Sequence, residues 1–341
     1  MTIHKFSESW RAGWEAFVDG APAALLAQAD PWLSVISQTL GHEDRTLIAE
    51  RDGEVCGVLP MMLLRHWLFG TSHVSLPWLD YGGVLADNPE TAWALLQAET
   101  AQAREDKAIF VELRLVEPVF AELPVREDKV TFWLPLMDAD GVWKGLDAKV
   151  RNQVRKAQKV GLRCEFGREE LLLEFYRVFA RNMRDLGTPV WGIALFENIL
   201  GAFPKTSEIA LIRLGDEAIG GGLILSFKDT VCMPSASSLR PYFHLCPNNL
   251  LYWEVIKRAC NHGYHIFDFG RSTVGSGTYY FKKQWGAVVK PLHWQYVLLN
   301  GKHMPQLNPS NPRFKFLIEV WKRLPLSVAT WLGPRIVRHL P

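Results

Sequence analysis

The side chains best suited to chemistry lie within residues 267–286, FDFGRSTVGSGTYYFKKQWG. An acid and an arginine stand at the end of a predicted strand, a loop of glycine and hydroxyl residues follows, and two lysines come after the loop. Loops that extend from rigid strands often carry binding and catalytic groups, although a surface turn with solvated charges has the same pattern. The candidate residues of this stretch are Asp268, Arg271, Ser272, Tyr279, Tyr280, Lys282 and Lys283.

The candidate side chains differ in the chemistry that they can perform. Asp268 either accepts a proton from an attacking amine or pairs with Arg271, because buried carboxylates are usually paired. The guanidinium of Arg271 can hold a phosphate or a carboxylate through two hydrogen bonds. A free lysine side chain, with a pKa of ~10.4, is charged at neutral pH and suits an oxyanion or a phosphate better than proton abstraction. Tyr279 and Tyr280 either bind a sugar or pack in the core.

Two further groups of candidates lie outside this stretch. A basic helix is predicted at residues 149–159, where Arg151 and Arg155 share a face at i, i+4 spacing. These arginines either contact a pyrophosphate or an RNA backbone, or they belong to a solvated helix face. In the first half of the chain, Asp80 and Tyr81 precede a glycine pair. That loop is either a substrate groove or a tight turn that needs the backbone freedom of glycine.

The composition limits the classes of protein to consider. The chain has 341 residues, 48% hydrophobic and 22% charged, which is an ordinary balance for about two globular domains. A net charge of +2 provides no overall field for a polyanion. The five cysteines show neither a disulfide framework nor metal-ligand spacing, so we expect no metal site and no permanently bound cofactor. Without an apolar signal core or a long apolar run, we expect a cytoplasmic protein.

One order of elements is repeated in the two halves of the chain. ERDGEVCG at residues 50–57 and RLGDEAIG at 213–220 align without a gap, and each is predicted to form the turn of a β-hairpin. Both halves then continue with strand, loop, helix, strand and strand, which indicates a duplicated domain. We predict an α/β (α+β) fold in which two domains, residues 1–140 and 141–305, each have a mostly antiparallel mixed sheet flanked by helices, followed by a basic helical tail at 306–341.

This order of elements is similar to the GNAT type of acyltransferase fold. In that family the loop after the fourth strand has the pattern R/Q-x-x-G-x-G/A and binds the pyrophosphate of coenzyme A at a helix N-terminus. The matching loops here, DYGGVLADN at 80–88 and LRPYFHLCPNN at 239–249, lack the pattern. RSTVGSG at 271–277 approaches it but follows a different strand. The resemblance implies two GNAT-like domains without the usual coenzyme A loop.

Tandem GNAT-like domains without this loop resemble the Fem family, the FemAB-like aminoacyltransferases. FKKQWG at residues 281–286 is similar to the family's F-K-x-x-F-G signature, with Trp285 in place of the second phenylalanine. Two other stretches resemble a bacterial subgroup associated with exosortase and exopolysaccharide loci. The matching stretches are KVRNQVRKAQKVGL (149–162), FDFGRS (267–272) and FKKQWG (281–286) for the family, and NMRDLGTPVWG (182–192) and LPWLDYGG (76–83) for the subgroup.

The Fem resemblance implies a reaction and a set of partners. In the family, an amine of a peptidoglycan precursor attacks the ester of an aminoacyl-tRNA directly, without a covalent enzyme intermediate. Lys282 matches the signature lysine and is then the positive group near the developing oxyanion, with Lys283 as the alternative. The acceptor would be a cell-envelope or polysaccharide precursor, linked to a lipid or a nucleotide. The donor is left open between aminoacyl-tRNA and acyl-CoA.

The end of the chain, residues 313–341, is basic and apolar and contains two tryptophans. Its apolar residues recur at helical spacing before Pro325, and Glu319 is its only acid. Such a segment either docks on the second domain or lies on an anionic membrane surface, on the inner face of the membrane.

Three hypotheses about function follow from the sequence. The first is a Fem-like transferase that passes an acyl or aminoacyl group to an amine or hydroxyl of a cell-envelope or exopolysaccharide precursor. The second is an N-acetyltransferase that uses acyl-CoA on an amino sugar. The third is a non-catalytic scaffold in polysaccharide assembly.

Overall fold

The computed structural model describes residues 1–66, 70–299, 301, 304 and 312–338. Short 3₁₀ helices lie at Glu8–Trp10, Leu26–Gln28 and Arg240–Leu245. The strands are β1 (Thr2–Lys5), β2 (Glu43–Asp44), β3 (Leu47–Arg51), β4 (Glu54–Leu59), β5 (Met62–His66), β6 (Gly70–Val74), β7 (Leu85–Ala86), β8 (Phe110–Leu115), β9 (Val125–Arg126), β10 (Lys129–Pro135), β11 (Leu162–Gly167), β12 (Ser207–Leu214), β13 (Glu217–Phe227), β14 (Thr230–Ser238), β15 (Ile266–Asp268), β16 (Ser272–Thr273), β17 (Val288–Pro291) and β18 (His293–Leu298).

The helices are α1 (Arg11–Gly20), α2 (Pro31–Leu40), α3 (Pro89–Glu105), α4 (Ala139–Gly145), α5 (Ala148–Lys159), α6 (Glu169–Leu186), α7 (Ile193–Ala202), α8 (Pro247–Asn261), α9 (Gly277–Lys283), α10 (Pro312–Lys322) and α11 (Leu326–Val337).

The chain divides into two compact units that are not continuous in sequence. Unit 1 comprises Met1–Lys129, Pro291–Leu307 and Arg338–Pro341, and unit 2 comprises Val130–Lys290 and Asn308–Val337. The predicted ranges 1–140, 141–305 and 306–341 treat each domain as one segment. The structure differs because two strands pair outside their own half of the sequence. β10 from the first half pairs with β15 in unit 2, and β18 from the second half pairs with β8 in unit 1.

Unit 1 contains two sheets, with strand orders β1-β3-β4-β7 and β2-β5-β6-β8-β18-β9. The predicted hairpin joins β3 and β4, and its turn residues Asp52 and Gly53 have φ of 55° and 88°, as a tight hairpin turn requires. Strand β6 ends at Val74, and Leu76 and Trp78 beyond it have φ of 51° and 83°. Helix α3 covers the core of this unit with Leu95 and Leu96.

Unit 2 is built on one sheet with strand order β11-β12-β13-β14-β15-β10-β16, and β17 pairs with β10. The basic helix predicted at 149–159 is α5, whose residues Val150, Val154 and Ala157 are buried. Helix α8 packs against the same core through Leu251 and Ile256. The sheet therefore carries α5 and α8 as part of one continuous hydrophobic core.

The two units share one feature of topology. In unit 1, β6 and β8 are parallel neighbours with α3 between them in the chain. In unit 2, β14 and β15 are parallel neighbours with α8 between them. Parallel strands need such a crossover connection, whereas hairpins join the antiparallel neighbours. The predicted α/β (α+β) class, with mostly antiparallel mixed sheets flanked by helices, is confirmed, although the strands of unit 1 form two sheets where one was predicted.

The C-terminal helices α10 and α11 both pack on α6 of unit 2. Of the predicted tail, residues 306–311 and 339–341 lie outside the described residues. Among the residues that the structure describes, no helix is both long enough and apolar enough to span a bilayer.

Candidate functional site

The candidate site lies where two parallel strands of unit 2 separate. β15 pairs with β14 as far as Cys232 opposite Asp268, after which β14 continues to Ser238 beside β13 alone. β15 ends at Asp268, and the chain turns at Gly270, whose φ is 72°. The carboxyl ends of parallel strands in open sheets are common ligand sites. The residues that follow β15 therefore stand at an opening between two strands.

Asp268 is buried at this opening and fixes the turn that follows it. Its Oδ1 accepts a hydrogen bond from the Thr131 hydroxyl at 2.7 Å and from the Gly270 amide at 2.8 Å. Thr131 lies on β10, the strand that the first half of the sequence contributes to unit 2. A buried carboxylate needs such donors because its desolvation is costly. These contacts show that Asp268 holds the turn, while its pairing with Arg271 and its use as a base both stay predictions.

Lys282 is brought to the same turn by helix α9. The helix begins after Ser276, whose hydroxyl caps it by accepting the Tyr279 amide at 3.2 Å. The Nζ of Lys282 donates to the carbonyls of Gly270 and Arg271, each at 2.9 Å, and the residue is only 8% exposed. An ammonium group at low exposure needs such acceptors. The result is a positive charge held at a defined place beside the end of β15.

Ser272 and Trp285 contribute buried polar atoms without partners. Ser272 Oγ and Trp285 Nε1 are inaccessible to solvent and have no hydrogen-bond partner within the described part of the chain. Buried polar groups in native proteins are nearly always satisfied, so each such atom requires an explanation, a bound ligand being one. In the chain, Ser272 directly follows Gly270 and Arg271, whose carbonyls bind Lys282.

The other candidates of this stretch are more exposed. Tyr279 is half-buried, with its ring 5.2 Å from that of Phe132, which supports core packing for this tyrosine. Tyr280, Arg271 and Lys283 are exposed. The Nζ of Lys283 lies 5.9 Å from the centre of the Tyr279 ring. The binding roles of these side chains stay predictions.

Arg151 and Arg155 of the basic helix α5 both make contacts with the region of α4. Arg151 donates to the carbonyls of Lys144 and Leu146, at 2.9 and 2.6 Å, and so satisfies the C-terminus of α4. The guanidinium of Arg155 lies 5.5 Å from the Trp143 ring. Both arginines thus contact the α4 region, and binding of a pyrophosphate or RNA by them stays a prediction.

In unit 1, the loop with Asp80 and Tyr81 is tightly packed at its glycine pair. A Cβ at Gly82 would overlap Ala27, and Gly83, with φ of 68°, has no room for one beside Leu115. The carbonyl of Asp80 accepts a hydrogen bond from Trp294 Nε1 at 3.2 Å. The tight-turn alternative therefore accounts for both glycines. Asp80 and Tyr81 are half-buried, and their substrate role stays a prediction.

A buried polar group that the sequence analysis missed lies beside this loop. Arg114 donates to Glu112 Oε1 at 2.8 Å and to the Leu79 carbonyl at 2.8 Å, and the Tyr296 hydroxyl donates to Glu112 Oε2 at 2.9 Å. Burial and the nearby Glu112 carboxylate raise the pKa of Tyr296. A charged pair inside the apolar run FVELRL was the available signal, since unpaired charges are rarely buried.

A second missed group lies elsewhere in unit 1. His73 Nδ1 is 2.5 Å from Glu99 Oε1, and Arg45 Nε donates to Asp106 Oδ2 at 2.6 Å. Burial raises the pKa of Glu99, whereas the hydrogen bond from Arg45 lowers the pKa of Asp106. A cavity of about 270 Å³ adjoins the group, lined by Lys5, Phe6, Asp44, Arg45, Thr46, Gln102, Glu105 and Asp106.

Sequence comparison assigns the part of the chain that contains the Lys282 site. Residues 146–283 match the family model for the acetyltransferase (GNAT) domain. This segment is thus similar to a GNAT-type acyltransferase domain. It runs from the start of α5 through the β14–β15 opening to the end of α9, so it includes both Asp268 and Lys282. No curated protein sequence matches the chain.

Three solved structures share the fold over 85–88% of this chain. FemX has 19% sequence identity and a TM-score of 0.68 over 88% of this chain and 98% of its own. The C-terminal domain of a putative lysylphosphatidylglycerol synthetase from Agrobacterium fabrum has 12% identity and a TM-score of 0.57, over 85% and 92%. A tandem GNAT protein from the clavulanic acid biosynthesis pathway has 10% identity and a TM-score of 0.54, over 86% and 97%. The predicted tandem GNAT-like fold is confirmed, and the exosortase subgroup stays a prediction.

Proposed function

We propose that this protein transfers an aminoacyl group from an aminoacyl-tRNA to an amine or hydroxyl of a cell-envelope precursor, at the β14–β15 opening of unit 2. The observation that carries the proposal is the buried ammonium of Lys282, fixed by the Gly270 and Arg271 carbonyls within an acyltransferase domain. A preorganised positive charge in a partly water-excluded site stabilises developing negative charge without reorganisation.

The proposed reaction is a direct acyl transfer. The nucleophilic nitrogen or oxygen of the acceptor attacks the ester carbonyl carbon, and the carbonyl electron pair moves to its oxygen. The Lys282 charge stabilises that oxyanion, as the electrostatic arrangement of the site allows. When the intermediate collapses, the bond to the ribose oxygen breaks, and the proton lost by the nucleophile ends on that oxygen. Positioning of the two substrates supplies the rest of the acceleration.

The surrounding residues have supporting roles in this proposal. Asp268 holds the Gly270 turn, and through it the carbonyls that bind Lys282. Ser272 offers an unpartnered hydroxyl to a substrate group. The exposed side chains of Arg271 and Lys283 give a local positive charge for the phosphates of the donor. Asp268 is therefore a positioning residue, and Lys282 is the catalytic one.

The names of two proteins of similar fold support the choice of donor and acceptor. FemX shares the fold over 88% of this chain, and a second similar structure is the C-terminal domain of a putative lysylphosphatidylglycerol synthetase, a name that refers to an aminoacylated lipid. An aminoacyl donor and an envelope acceptor are compatible with both. An exopolysaccharide acceptor is the narrower form of this proposal and rests on the sequence resemblance.

Acyl-CoA is the second candidate donor, because the matched family model describes an acetyltransferase domain. The N-terminus of α8, which follows β14, is where a pyrophosphate would bind in such a domain. Here Pro247 occupies the first turn of α8 and lacks an amide donor, and residues Arg240–Leu245 form a 3₁₀ helix instead of a glycine loop. These features favour the aminoacyl donor.

A binding experiment separates the two donors. Isothermal titration calorimetry with acetyl-CoA and filter binding with a radiolabelled pool of aminoacyl-tRNA use the same purified full-length protein. We expect micromolar binding of aminoacyl-tRNA and none of acetyl-CoA. If the protein binds only acetyl-CoA at micromolar concentration, acyl-CoA is the donor and the aminoacyl proposal is wrong. If it binds neither compound, the proposal is also contradicted.

A further inference from the structure

The C-terminal helices are firmly docked on unit 2 through glycine positions. Gly187, at the end of α6 with φ of 81°, leaves space for Ile318 of α10, and a Cβ at this glycine would lie 2.5 Å from Ile318 Cγ2. Gly333 of α11 lies against the backbone of Val190, where a Cβ would overlap the Val190 carbonyl. The stretch 182–192, which stood out in the sequence, thus forms the platform for both helices.

Polar contacts and burial complete this docking. Arg184 donates to the Leu324 carbonyl at 2.8 Å, which satisfies a carbonyl at the turn between α10 and α11. Trp321, Ala329 and Val337 are buried. The docking alternative for the predicted tail therefore agrees with the packing of α10 and α11, and the two helices have a defined inner face.

The outer face of the same helices is unusually apolar. The exposed fractions are 71% for Phe316, 58% for Leu317, 44% for Val320 and 62% for Trp331. An ordinary surface helix buries its apolar stripe and presents polar residues to water. Here α10 and α11 bury one apolar set and expose another. Contiguous exposed apolar groups on a soluble surface mark sites of interaction with a partner or a membrane.

The charges around this face are almost all positive. Between residues 316 and 338 the chain has Lys322, Arg323, Arg335 and Arg338, with Glu319 as the only acid. Glu319 is already paired with Lys322 at 2.6 Å, so it does not oppose an approaching anion. The guanidinium of Arg335 lies 4.3 Å from the Trp331 ring. Tryptophan and arginine are suited to the boundary between acyl chains and headgroups.

We propose that the C-terminal patch, defined as Phe316, Leu317, Val320 and Trp331 with Arg323 and Arg335, binds the surface of an anionic phospholipid bilayer. The apolar side chains enter the boundary between headgroups and acyl chains, and the two arginines contact lipid phosphates. This is peripheral binding in the plane of the surface, as basic amphipathic helices perform it. Basic residues near an anionic surface add electrostatic attraction.

The charge of the patch favours lipid over a second copy of this chain. Two copies joined through the same patch would bring Arg323 and Arg335 of each close to those of the other, which is unfavourable. An anionic bilayer complements both the apolar and the basic part. The proposal is independent of the reaction assigned to Lys282, because it uses neither a donor nor an acceptor substrate.

Vesicle flotation with the full-length protein tests the proposal. The variant Phe316→Gln/Leu317→Gln/Trp331→Gln removes apolar groups from the patch, and Leu173→Gln is the matched control, since Leu173 is 54% exposed on α6 of the same unit. With vesicles of equal parts phosphatidylcholine and phosphatidylglycerol, we expect the triple change to weaken binding more than about tenfold, because the lost apolar burial is worth over 1 kcal/mol. The control should bind as the wild type does.

Two further measurements keep the outcome decisive. The double variant Arg323→Gln/Arg335→Gln should bind vesicles more weakly, and its residual binding should depend less on salt concentration. Circular dichroism and thermal unfolding confirm that each variant is folded. The proposal is overturned if the wild type does not float with anionic vesicles, or if the triple variant floats equally well. It is also overturned if sedimentation shows a wild-type dimer that the triple variant loses.

Discussion

Units 1 and 2 place a carboxylate at the same point of their topology and treat it differently. Glu112 lies opposite Val74 at the end of the β6–β8 parallel pairing, as Asp268 lies opposite Cys232 at the end of the β14–β15 pairing. In unit 1, Arg114 two residues later on the same strand donates to Glu112. In unit 2, the equivalent position is Gly270, whose amide binds Asp268 and whose carbonyl binds Lys282.

The consequence is a closed arrangement in one unit and an open one in the other. In unit 1 the loop that follows β6 lies against β8. The Gly82 amide of this loop donates to the Arg114 carbonyl, and the Arg114 side chain donates to the Leu79 carbonyl. In unit 2, β14 diverges, and Ser272 Oγ is left without a partner in the described structure. Both units thus bury an acid at this point, and they differ in the residue two positions later, which is Arg114 in unit 1 and Gly270 in unit 2.

The largest effect on this comparison is expected from Arg114→Met. Loss of the guanidinium leaves the Glu112 carboxylate buried without its charged partner, which costs about 3–5 kcal/mol of unfolding free energy. Urea denaturation measures the loss. The double variant Arg114→Met/Glu112→Gln should recover part of it, because the buried charge is then gone. A loss below about 1 kcal/mol of unfolding free energy for the single variant would contradict the claim that Arg114 stabilises the buried Glu112 carboxylate.

The matching change in unit 2 is Thr131→Val, which removes a hydrogen bond to Asp268 while keeping the shape. It should cost about 1.5–3 kcal/mol, the value of a hydrogen bond to a charged group, because the Gly270 amide still binds the carboxylate. An equal loss for Thr131→Val and Arg114→Met would remove the contrast between the two carboxylates.

Ser272→Ala tests whether the open arrangement serves a substrate. Since the hydroxyl has no partner in the described structure, its removal should leave the unfolding free energy unchanged or slightly higher. Transfer activity should fall by about fivefold to tenfold, the value of one hydrogen bond. Ser237→Ala is the contrast, because Ser237 Oγ accepts from Asn182 at 3.1 Å and its loss should reduce stability. Full activity of Ser272→Ala would remove this residue from the site.

The smallest effect concerns acid stability in unit 1. The hydrogen bond from Arg45 holds the pKa of Asp106 below its ordinary value of 3.8. A lowered pKa means that the contribution to stability is complete above the ordinary value and is lost as the pH falls through the folded value. Thermal unfolding between pH 6 and about pH 3 should therefore show a shallower decline for Asp106→Asn, with a difference of at most about 1 kcal/mol. A steeper decline would contradict the pairing.

Much of this arrangement could be predicted from local sequence. The repeated hairpins, the capped helices and the alternation of β15 follow from turn residues and periodicity, and the turn at Asp52-Gly53 forms as predicted. The stretch around Lys282 was identified from its residue types and its resemblance to a signature. These features can be predicted because the residues that determine a turn or a short strand are close together in the sequence.

The remainder depends on pairing over long distances in sequence. The partner of Asp268 is Thr131, 137 residues away, and the partner of Glu112 is Tyr296, 184 residues away. Both contacts exist because β10 and β18 join the sheet of the other half. A repeat within a sequence predicts two similar sheets but does not say which half supplies each strand. The packing of Gly187 and Gly333 under α10 and α11 is equally nonlocal.

The measurement that tests the central claim most directly is transfer by Lys282→Ala. Radiolabelled aminoacyl-tRNA is incubated with a cell-envelope precursor fraction, and label in the acceptor is followed for the wild type, for Lys282→Ala and for Lys257→Ala as an exposed lysine control on α8. We predict a fall of about 100-fold to 1000-fold for Lys282→Ala, the effect of removing one oxyanion stabiliser, with normal transfer by the control. Transfer by folded Lys282→Ala at the wild-type rate would contradict the account.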